Sequence, residues 1–170
     1  TYATPVSARP DRVWSLGLFR GTVSQENIER QLLQSNDRSD NDDNDDGCYC
    51  VLQLLKEEHK DLVKLLGGNS GRDVSKQEEC KKLGFEWVKL GDVDDDGDDG
   101  VMVLPGCAYY LKLRITRDAV MDAGSHQAVL GKVEQMCVSS GEDADASKEY
   151  LSTSRLRELG IITEQGRVAE

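Results

Sequence analysis

Two long strand candidates, separated by one short connection, place the strongest constraint on the fold of this chain. Residues 108–117 (AYYLKLRITR) and 126–137 (HQAVLGKVEQMC) are the longest such segments, and a turn around Asp122-Ala-Gly124 lies between them. A connection this short joins antiparallel neighbours, because a parallel pair needs a crossover of a dozen or more residues. The sequence therefore predicts an antiparallel sheet built around this pair.

Four shorter segments also have strand character. They are residues 13–19 (VWSLGLF), 48–54 (CYCVLQL), 85–90 (FEWVKL) and 101–104 (VMVL). Together with the central pair they make six strands, with three or four helices between them. The sequence therefore predicts an α+β fold, in which a small, mainly antiparallel six-stranded barrel carries its helices on the outside.

The helix signals are most specific after the first of these strands. Thr22 and Gln25 match a capping box, which predicts a helix through about Leu33 with Ile28, Leu32 and Leu33 on its apolar face. The other predicted helices cover residues 57–66, 75–83 and 147–159, of which the second is ended by Gly84 and the last by Gly160.

The whole formal charge of −11 comes from two short acidic runs. Residues 36–47 hold six Asp and one Arg, and residues 92–100 hold six Asp and no base. The remaining chain is neutral, so we interpret the runs as solvated insertions in a single domain spanning residues 1–170. Nucleic acid is not an expected partner, because phosphate binding needs clusters of Lys and Arg that the sequence lacks.

The cysteine pattern and the hydropathy of the sequence indicate what kind of cellular compartment to expect. The five Cys residues are an odd number at unpatterned spacing, so we expect reduced thiols that lie mostly in the core. No apolar run is long enough to cross a bilayer, and no charged-then-apolar leader opens the chain. We expect a soluble, intracellular or organellar protein, and the sequence leaves the compartment open.

The second acidic run matches half of a calcium-binding loop. Asp92, Asp94 and Asp96 alternate before Gly97, as carboxylates that converge on one cation would. Position twelve of such a loop needs a Glu and here is Val103, so an acidic insertion is the better interpretation and no metal site is predicted.

Five blocks of sequence occur in an order typical of one protein family. They are residues 1–10 (TYATPVSARP) with the following strand and Gly21-Thr22, residues 51–55 with Glu58-His59, residues 70–76, residues 104–113, and residues 122–126 with 131–133. Over nearly its whole length the chain resembles the flavin reductase-like family. One turn departs from the family pattern, since the family's Gly-Asp-His is Gly124-Ser125-His126 here.

The resemblance implies a Greek-key split β-barrel that binds FMN at the seam of a homodimer. It also implies that NAD(P)H delivers hydride to the N5 atom of the flavin. The protein's own contribution would be orientation and electrostatics, since the flavin carries the chemistry.

Candidate site residues follow from what an FMN phosphate needs, namely small hydroxyl side chains, backbone N–H groups, one or two cations and a helix N-terminus. His126 is the candidate catalytic, nicotinamide-facing group. The candidate cofactor-binding residues are the hydroxyl-bearing Thr1, Thr4, Ser7 and Thr22 and the cations Arg72 and Lys76.

Each candidate also has a structural interpretation. The Thr-rich opening fits an extended segment before a proline, and Arg72 with Lys76 fits a solvated helix start. His126 fits a turn residue at the head of a strand. His59, the other histidine, is interpreted as a surface residue.

Two functions are therefore carried forward. The first is an FMN-binding flavin reductase-like protein that transfers hydride from NAD(P)H to flavin, as a homodimer. The second is a non-catalytic scaffold, a subunit of a larger protein assembly, that keeps the barrel and uses its acidic loops or thiols for partners.

The acidic runs should be dispensable for folding, because their composition buries no apolar surface. We expect deletion of residues 37–46 to leave the Tm nearly unchanged in a thermal melt followed by circular dichroism. Loss of the cooperative transition on deletion would show instead that this run is part of the folded core.

Overall fold

The structure of the chain, a computed structural model, describes residues 2–35, 47–90, 101–138 and 150–169. The two predicted acidic insertions lie outside these residues, apart from Gly47. The chain divides into two compact units, one of residues 1–52 and 111–136 and one of residues 53–110 and 137–170. The assignment of residues 1–170 to a single domain stays a prediction.

Eight strands and four α-helices lie within the described residues. The strands are β1 (Tyr2–Ser7), β2 (Val13–Phe19), β3 (Gly47–Leu54), β4 (Val88–Lys89), β5 (Met102–Val103), β6 (Tyr109–Thr116), β7 (Val120–Ala123) and β8 (His126–Val138). The helices are α1 (Val23–Ser35), α2 (Leu62–Gly68), α3 (Lys76–Lys82) and α4 (Thr153–Glu158). The α+β class with an antiparallel sheet is confirmed.

The main sheet has six strands in the order β1-β2-β8-β6-β3, and β7 also pairs with β8. The predicted central pair, β6 and β8, are neighbours in it. β2 runs antiparallel to β8, with Val13 opposite Lys132 and Phe19 opposite His126. Closure of this sheet into a barrel stays a prediction.

Two strands of the main sheet were not predicted. β1 pairs antiparallel with β2 and has a register shift between Pro5 and Ser7. β7 pairs antiparallel with β8 and places Ala123 opposite His126. The two-residue turn between β7 and β8 needs a positive φ, which Gly124 supplies at +74°.

The core of the first unit forms where α1 and the strands of the sheet bury their apolar faces. Leu33, predicted on the buried face of α1, is 65% exposed, which corrects that prediction. It lies one residue past Leu32, about 100° around the helix, and so points away from the core. The buried apolar residues are Leu16 and Leu18 of β2, Ile28 and Leu32 of α1, Leu111, Leu113 and Ile115 of β6, and Val129 of β8.

The capping box of α1 is present in a modified form. The Thr22 hydroxyl accepts the Gln25 N–H at 3.4 Å, as an N-cap does. The Gln25 amide oxygen then accepts from the N–H of Gly21, at 3.0 Å, rather than from that of Thr22. Through this bond the buried Gln25 side chain links the first turn of α1 to Gly21, just after the end of β2.

In the second unit, two predicted strands are much shorter than expected. Residues 85–90 and 101–104 contribute only β4 and β5, which form a separate two-stranded sheet with Val88 opposite Val103. Both Val88 and Met102 are exposed on this small sheet. FEWVKL thus forms a strand of only two residues, outside the main sheet.

The helices of the second unit follow the sequence signals with shifted boundaries. The predicted helix at 57–66 is a single 3-10 turn, Glu57–His59, followed by α2. α3 begins after Ser75, whose hydroxyl accepts the Glu78 N–H, and Gly84 follows it with φ +89°, as predicted. α4 begins at Thr153, so Tyr150 and Leu151, which were predicted as helical, precede it.

His59 is fully buried, which corrects its interpretation as a surface residue. Its Nδ1 accepts the Lys56 N–H at 3.1 Å, and its Nε2 donates to the Pro105 carbonyl at 2.9 Å. The ring also packs against Phe85, with centroids 5.0 Å apart. The charged neighbours in EEHK gave the segment a polar pattern, yet the 3-10 turn directs this one side chain inward.

The loop that His59 contacts is fixed by two further side chains, those of the half-buried Gln53 and the buried Tyr110. The Gln53 amide oxygen accepts the Leu104 N–H at 2.8 Å. The Tyr110 hydroxyl donates to the Leu104 carbonyl at 2.6 Å and accepts the Cys107 N–H at 3.1 Å. Burial raises the pKa of this hydroxyl to about 12, so it stays protonated and keeps both roles.

Substitution of His59 by alanine should destabilise the protein. It removes a buried ring and leaves the Lys56 N–H and the Pro105 carbonyl without partners, so we expect a loss of about 2–4 kcal/mol in the free energy of unfolding. Urea denaturation measures this loss. The control is His126→Ala at the half-buried second histidine, expected to cost about 1 kcal/mol or less; equal losses would contradict the structural role of His59.

Candidate functional site

The end of β2, the turn between β7 and β8, and the start of α1 come together in the first unit. Phe19, the last residue of β2, lies opposite His126, the first residue of β8. Residues 20–22 then lead directly into α1. We call the cluster formed by Arg20, Thr22, Asp122, Ser125 and His126 the turn site.

Arg20 makes most of the contacts in the turn site. Its Nε donates to the Gly124 carbonyl at 2.7 Å, and its Nη2 lies 2.6 Å from Oδ2 of Asp122. Its backbone N–H donates to the Ser125 carbonyl at 3.2 Å. Asp122 closes the same turn from the other side, since its Oδ1 accepts the Gly124 N–H at 2.8 Å.

The ion pair stabilises the charged forms of both partners. The hydrogen bond from Arg20, together with that from the Gly124 N–H, holds the pKa of the Asp122 carboxyl below its ordinary value. The same contact with Asp122 raises the pKa of the Arg20 guanidinium. Asp122 is therefore ionised and Arg20 charged at neutral pH, and the two charges balance within the turn.

His126 is held by two neighbours. Its Nδ1 lies 2.7 Å from the Ser125 hydroxyl, and its ring centroid lies 4.0 Å from that of Phe19. The residue is half-buried. With Nδ1 paired to Ser125, Nε2 is the nitrogen left to face a ligand, either as a proton donor or as an acceptor.

The start of α1 fits an anionic group. α1 has 13 residues, and its N-terminus carries the positive end of the helix dipole. Gly21, with φ +72°, precedes it and has open space where a Cβ would stand, so a ligand can approach the backbone. The Thr22 hydroxyl gives its own proton to the Phe19 carbonyl at 2.8 Å, so it can meet an anion only by exchanging that bond.

Gln127 is a buried polar side chain next to the turn site. Its amide nitrogen donates to Oε1 of Glu29, on α1, at 2.5 Å. Its amide oxygen is buried and has no hydrogen-bond partner among the residues that the structure describes. Because neighbouring strand residues point to opposite faces, Gln127 faces α1 while His126 faces the other side, and we do not include it in the turn site.

Two of the predicted hydroxyl residues lie at the opposite end of β2. Thr4 is exposed on β1 opposite Ser15, and Ser7 lies opposite Val13 with its hydroxyl donating to the Arg9 carbonyl at 3.2 Å. β2 spans about 20 Å at the usual rise of a strand. One phosphate therefore cannot contact both Ser7 and Thr22, and Thr1 lies outside the described residues.

Arg72 and Lys76, the predicted cations, belong to the second unit. Arg72 is exposed in the turn before α3, where its backbone N–H donates to the Ser70 hydroxyl at 3.1 Å. The Lys76 amine donates to the Leu66 carbonyl in the last turn of α2. Burial lowers the pKa of this amine, and the bond gives Lys76 a capping role in addition to any ligand contact.

The thiols have the character of core residues. All five cysteines are free, and Cys48, Cys80 and Cys107 are buried, as predicted. Burial raises the pKa of Cys50 to about 12 and that of Cys107 to about 11, so both stay protonated and weakly nucleophilic at neutral pH. Within the described ranges, no three His, Cys, Asp or Glu side chains are grouped as a metal site would require.

Residues 1–158 match the family model of the flavin reductase like domain. The chain belongs to this family. A search of curated protein sequences found no significant match. Among the described residues, no helix is both long and apolar enough to span a membrane.

Solved structures share the fold of this flavin reductase like domain at low sequence identity. An FMN-binding protein from Thermus thermophilus with bound p-hydroxybenzaldehyde is 19% identical, with a TM-score of 0.54 over 81% of this chain and 60% of that one. The NADH:FAD oxidoreductase SgcE6 of Streptomyces globisporus C-1027 is 15% identical, with a TM-score of 0.54 over 80% of this chain and 63% of that one. Flavoredoxin from Methanosarcina acetivorans is 13% identical, with a TM-score of 0.55 over 98% of this chain and 63% of that one. The chain thus spans less than two-thirds of the length of these three proteins.

Sequence reasoning missed Arg20 and Asp122. His126 stood out because it lies in a turn that resembles the family's Gly-Asp-His, whereas Arg20 and Asp122 are ordinary charged residues next to turns. One signal was available, since an Asp two residues before a glycine favours a side-chain-to-backbone turn. The partnership with Arg20 depends on the β2–β8 register, which the local sequence does not contain.

The cap at Thr22 gives a test of the start of α1. Thr22→Ala removes the acceptor for the Gln25 N–H, so we expect the free energy of unfolding to fall by about 1 kcal/mol. Thr22→Ser keeps the hydroxyl and should stay close to wild type in the same urea titration. Equal stability of the alanine and serine variants would show that the hydroxyl does not cap the helix.

Proposed function

We propose that this protein binds FMN and transfers hydride from NAD(P)H to flavin, as a homodimer with a closed split barrel. The observation that carries the proposal is the flavin reductase like domain, which accounts for residues 1–158 of 170. The turn site supports it, because an imidazole stands beside a helix start that fits an anionic group. The neighbours named as FMN-binding protein and NADH:FAD oxidoreductase support a flavin and a nicotinamide nucleotide as the ligands.

In this proposal the first unit supplies the polar contacts to the cofactor. The backbone N–H groups at the start of α1 and the Thr22 hydroxyl hold the phosphate, while Thr1, Thr4 and Ser7 contact other parts of the cofactor. Arg72 and Lys76 supply positive charge. A bound flavin would supply the hydride acceptor for the reduced nicotinamide. His126 orients the nicotinamide or moves a proton through Nε2.

The dimer is proposed from exposed apolar side chains as well as from the family. Met136 and Val138, on the outward face of β8, are each 47% exposed. A second copy that covers such a face by two-fold symmetry would remove it from water.

Three measurements on the full chain test the proposed function. The purified protein should show the absorbance bands of bound oxidised flavin, or should acquire them on titration with FMN. It should oxidise NADH or NADPH in the presence of FMN, and it should sediment as a dimer at micromolar concentration. A clean monomer that binds no flavin would overturn the proposal and favour the scaffold or assembly subunit.

Arg72 can be tested separately within this proposal. Charge-assisted contacts to phosphate are worth roughly 1.5–3 kcal/mol, so Arg72→Ala should weaken FMN binding at least about tenfold. Quenching of flavin fluorescence measures the Kd. Arg157→Ala, an exposed arginine of α4, is the matched control and should bind FMN as wild type does. An unchanged Kd for Arg72→Ala would remove Arg72 from the site.

A further inference from the structure

Arg20 joins three positions of one turn. Its guanidinium contacts the Asp122 carboxylate and the Gly124 carbonyl, and its backbone N–H contacts the Ser125 carbonyl. A guanidinium suits this arrangement, because its planar fork donates in two directions at once with fixed geometry. The turn that precedes His126 is therefore held at three points by a single residue.

These contacts add little to the stability of the fold. Both side chains of the ion pair are exposed, and exposed ion pairs contribute weakly to folding. The strands on either side are held independently, since β8 pairs with β2 from His126 to Lys132 and with β7 from His126 to Val129. What the Arg20 contacts add is a fixed conformation for the turn itself.

The conformation of the turn reaches the imidazole through one residue. Ser125 carries both the carbonyl that Arg20 holds and the hydroxyl that lies 2.7 Å from Nδ1 of His126. On its other side the ring contacts Phe19, which directly precedes Arg20 in the chain. A shift of the turn would move Ser125 relative to Phe19 and so change the direction in which Nε2 points.

We propose that Arg20 and Asp122 are positioning residues that fix the orientation of the His126 ring through Ser125. The orienting role stands on the geometry alone, and its effect on hydride transfer rests on the proposed function. Neither residue touches the reacting atoms in this proposal. A misplacement of about 1 Å in a reacting group can cost about 100-fold in rate, so loosening the turn should lower kcat rather than substrate affinity.

The competing explanation is that Arg20 binds the phosphate of a ligand directly. In that case Arg20→Gln raises the Kd for FMN, and Asp122→Asn, which releases the guanidinium, lowers it or leaves it unchanged. If Arg20 and Asp122 act together on the turn, both substitutions should have the same effect. The Arg20→Gln/Asp122→Asn double variant should then be no worse than either single variant, because the two residues act as one unit.

The first readout needs no ligand and no activity. The chain has two histidines, so the imidazole resonances of His126 can be assigned in a ¹⁵N correlation spectrum with His126→Gln as reference. We expect contacts between the His126 and Phe19 rings in wild type, and their weakening with shifted His126 signals in Arg20→Gln and Asp122→Asn. Arg30→Gln is the control, since among the described residues Arg30 bonds Asn27 on the same helix and should leave His126 unchanged.

The second readout is steady-state oxidation of NAD(P)H with FMN. We expect kcat to fall about tenfold or more in both single variants, with the KM for FMN changed less than about twofold. Arg20→Lys keeps the positive charge but lacks the planar set of guanidinium donors, so its kcat should fall as in Arg20→Gln. Full rescue by lysine, a rise in KM in place of a fall in kcat, or an additive double variant would overturn the proposal.

The two proposals fail in different ways. If wild type binds no flavin and oxidises no NAD(P)H, the proposed function is wrong, and the spectra of His126 still decide whether Arg20 and Asp122 orient the ring. If wild type is active but the His126 signals of both variants match those of wild type, the orienting role is wrong and the proposed function stands.

Discussion

β8 is the strand on which the first unit depends. It has 13 residues and pairs with β2, β6 and β7, so it has strand neighbours on both of its edges. Its buried positions alternate, with Gln127, Val129 and Gly131 facing the core. Gly131 fits closely there, because a Cβ at this position would lie 3.0 Å from the Cβ of the buried Leu113 on β6. A shift of one residue in register would turn this whole face toward solvent.

The parts of the fold that the sequence predicted are those with long, regular patterns. The strands at 13–19, 48–54, 108–117 and 126–137 were found almost to the residue, because each is at least seven residues long and rich in aliphatic, β-branched or aromatic side chains. β1 was missed because its hydroxyl residues and Pro5 weaken the strand signal, and pairing with β2 supplies what the local sequence lacks. β7 has four residues, too few to show a period. His59 was misjudged because its charged neighbours resemble a surface segment, whereas the 3-10 turn directs its side chain into the core.

The site was less predictable than the fold, for a physical reason. A strand or helix is encoded by residues that are neighbours in the sequence, whereas a site combines residues that are distant in the chain. Arg20 and Gly124 are 104 residues apart, and only the register of β2 against β8 brings them together. Hydroxyl residues such as Ser7 and Thr22 look alike in the sequence, but the structure uses one to close a turn and the other to cap a helix.

The irregularity of β1 also affects how this protein behaves at high concentration. Among the described strands, β1 pairs on one side only, and a strand with a free edge can recruit the same strand of another molecule. Pro5 carries no N–H, and the register shift between Pro5 and Ser7 breaks the regular spacing of donors and acceptors. An incoming strand would therefore find an interrupted row of hydrogen-bonding groups. The proline that concealed β1 in the sequence protects the sheet against edge-to-edge aggregation.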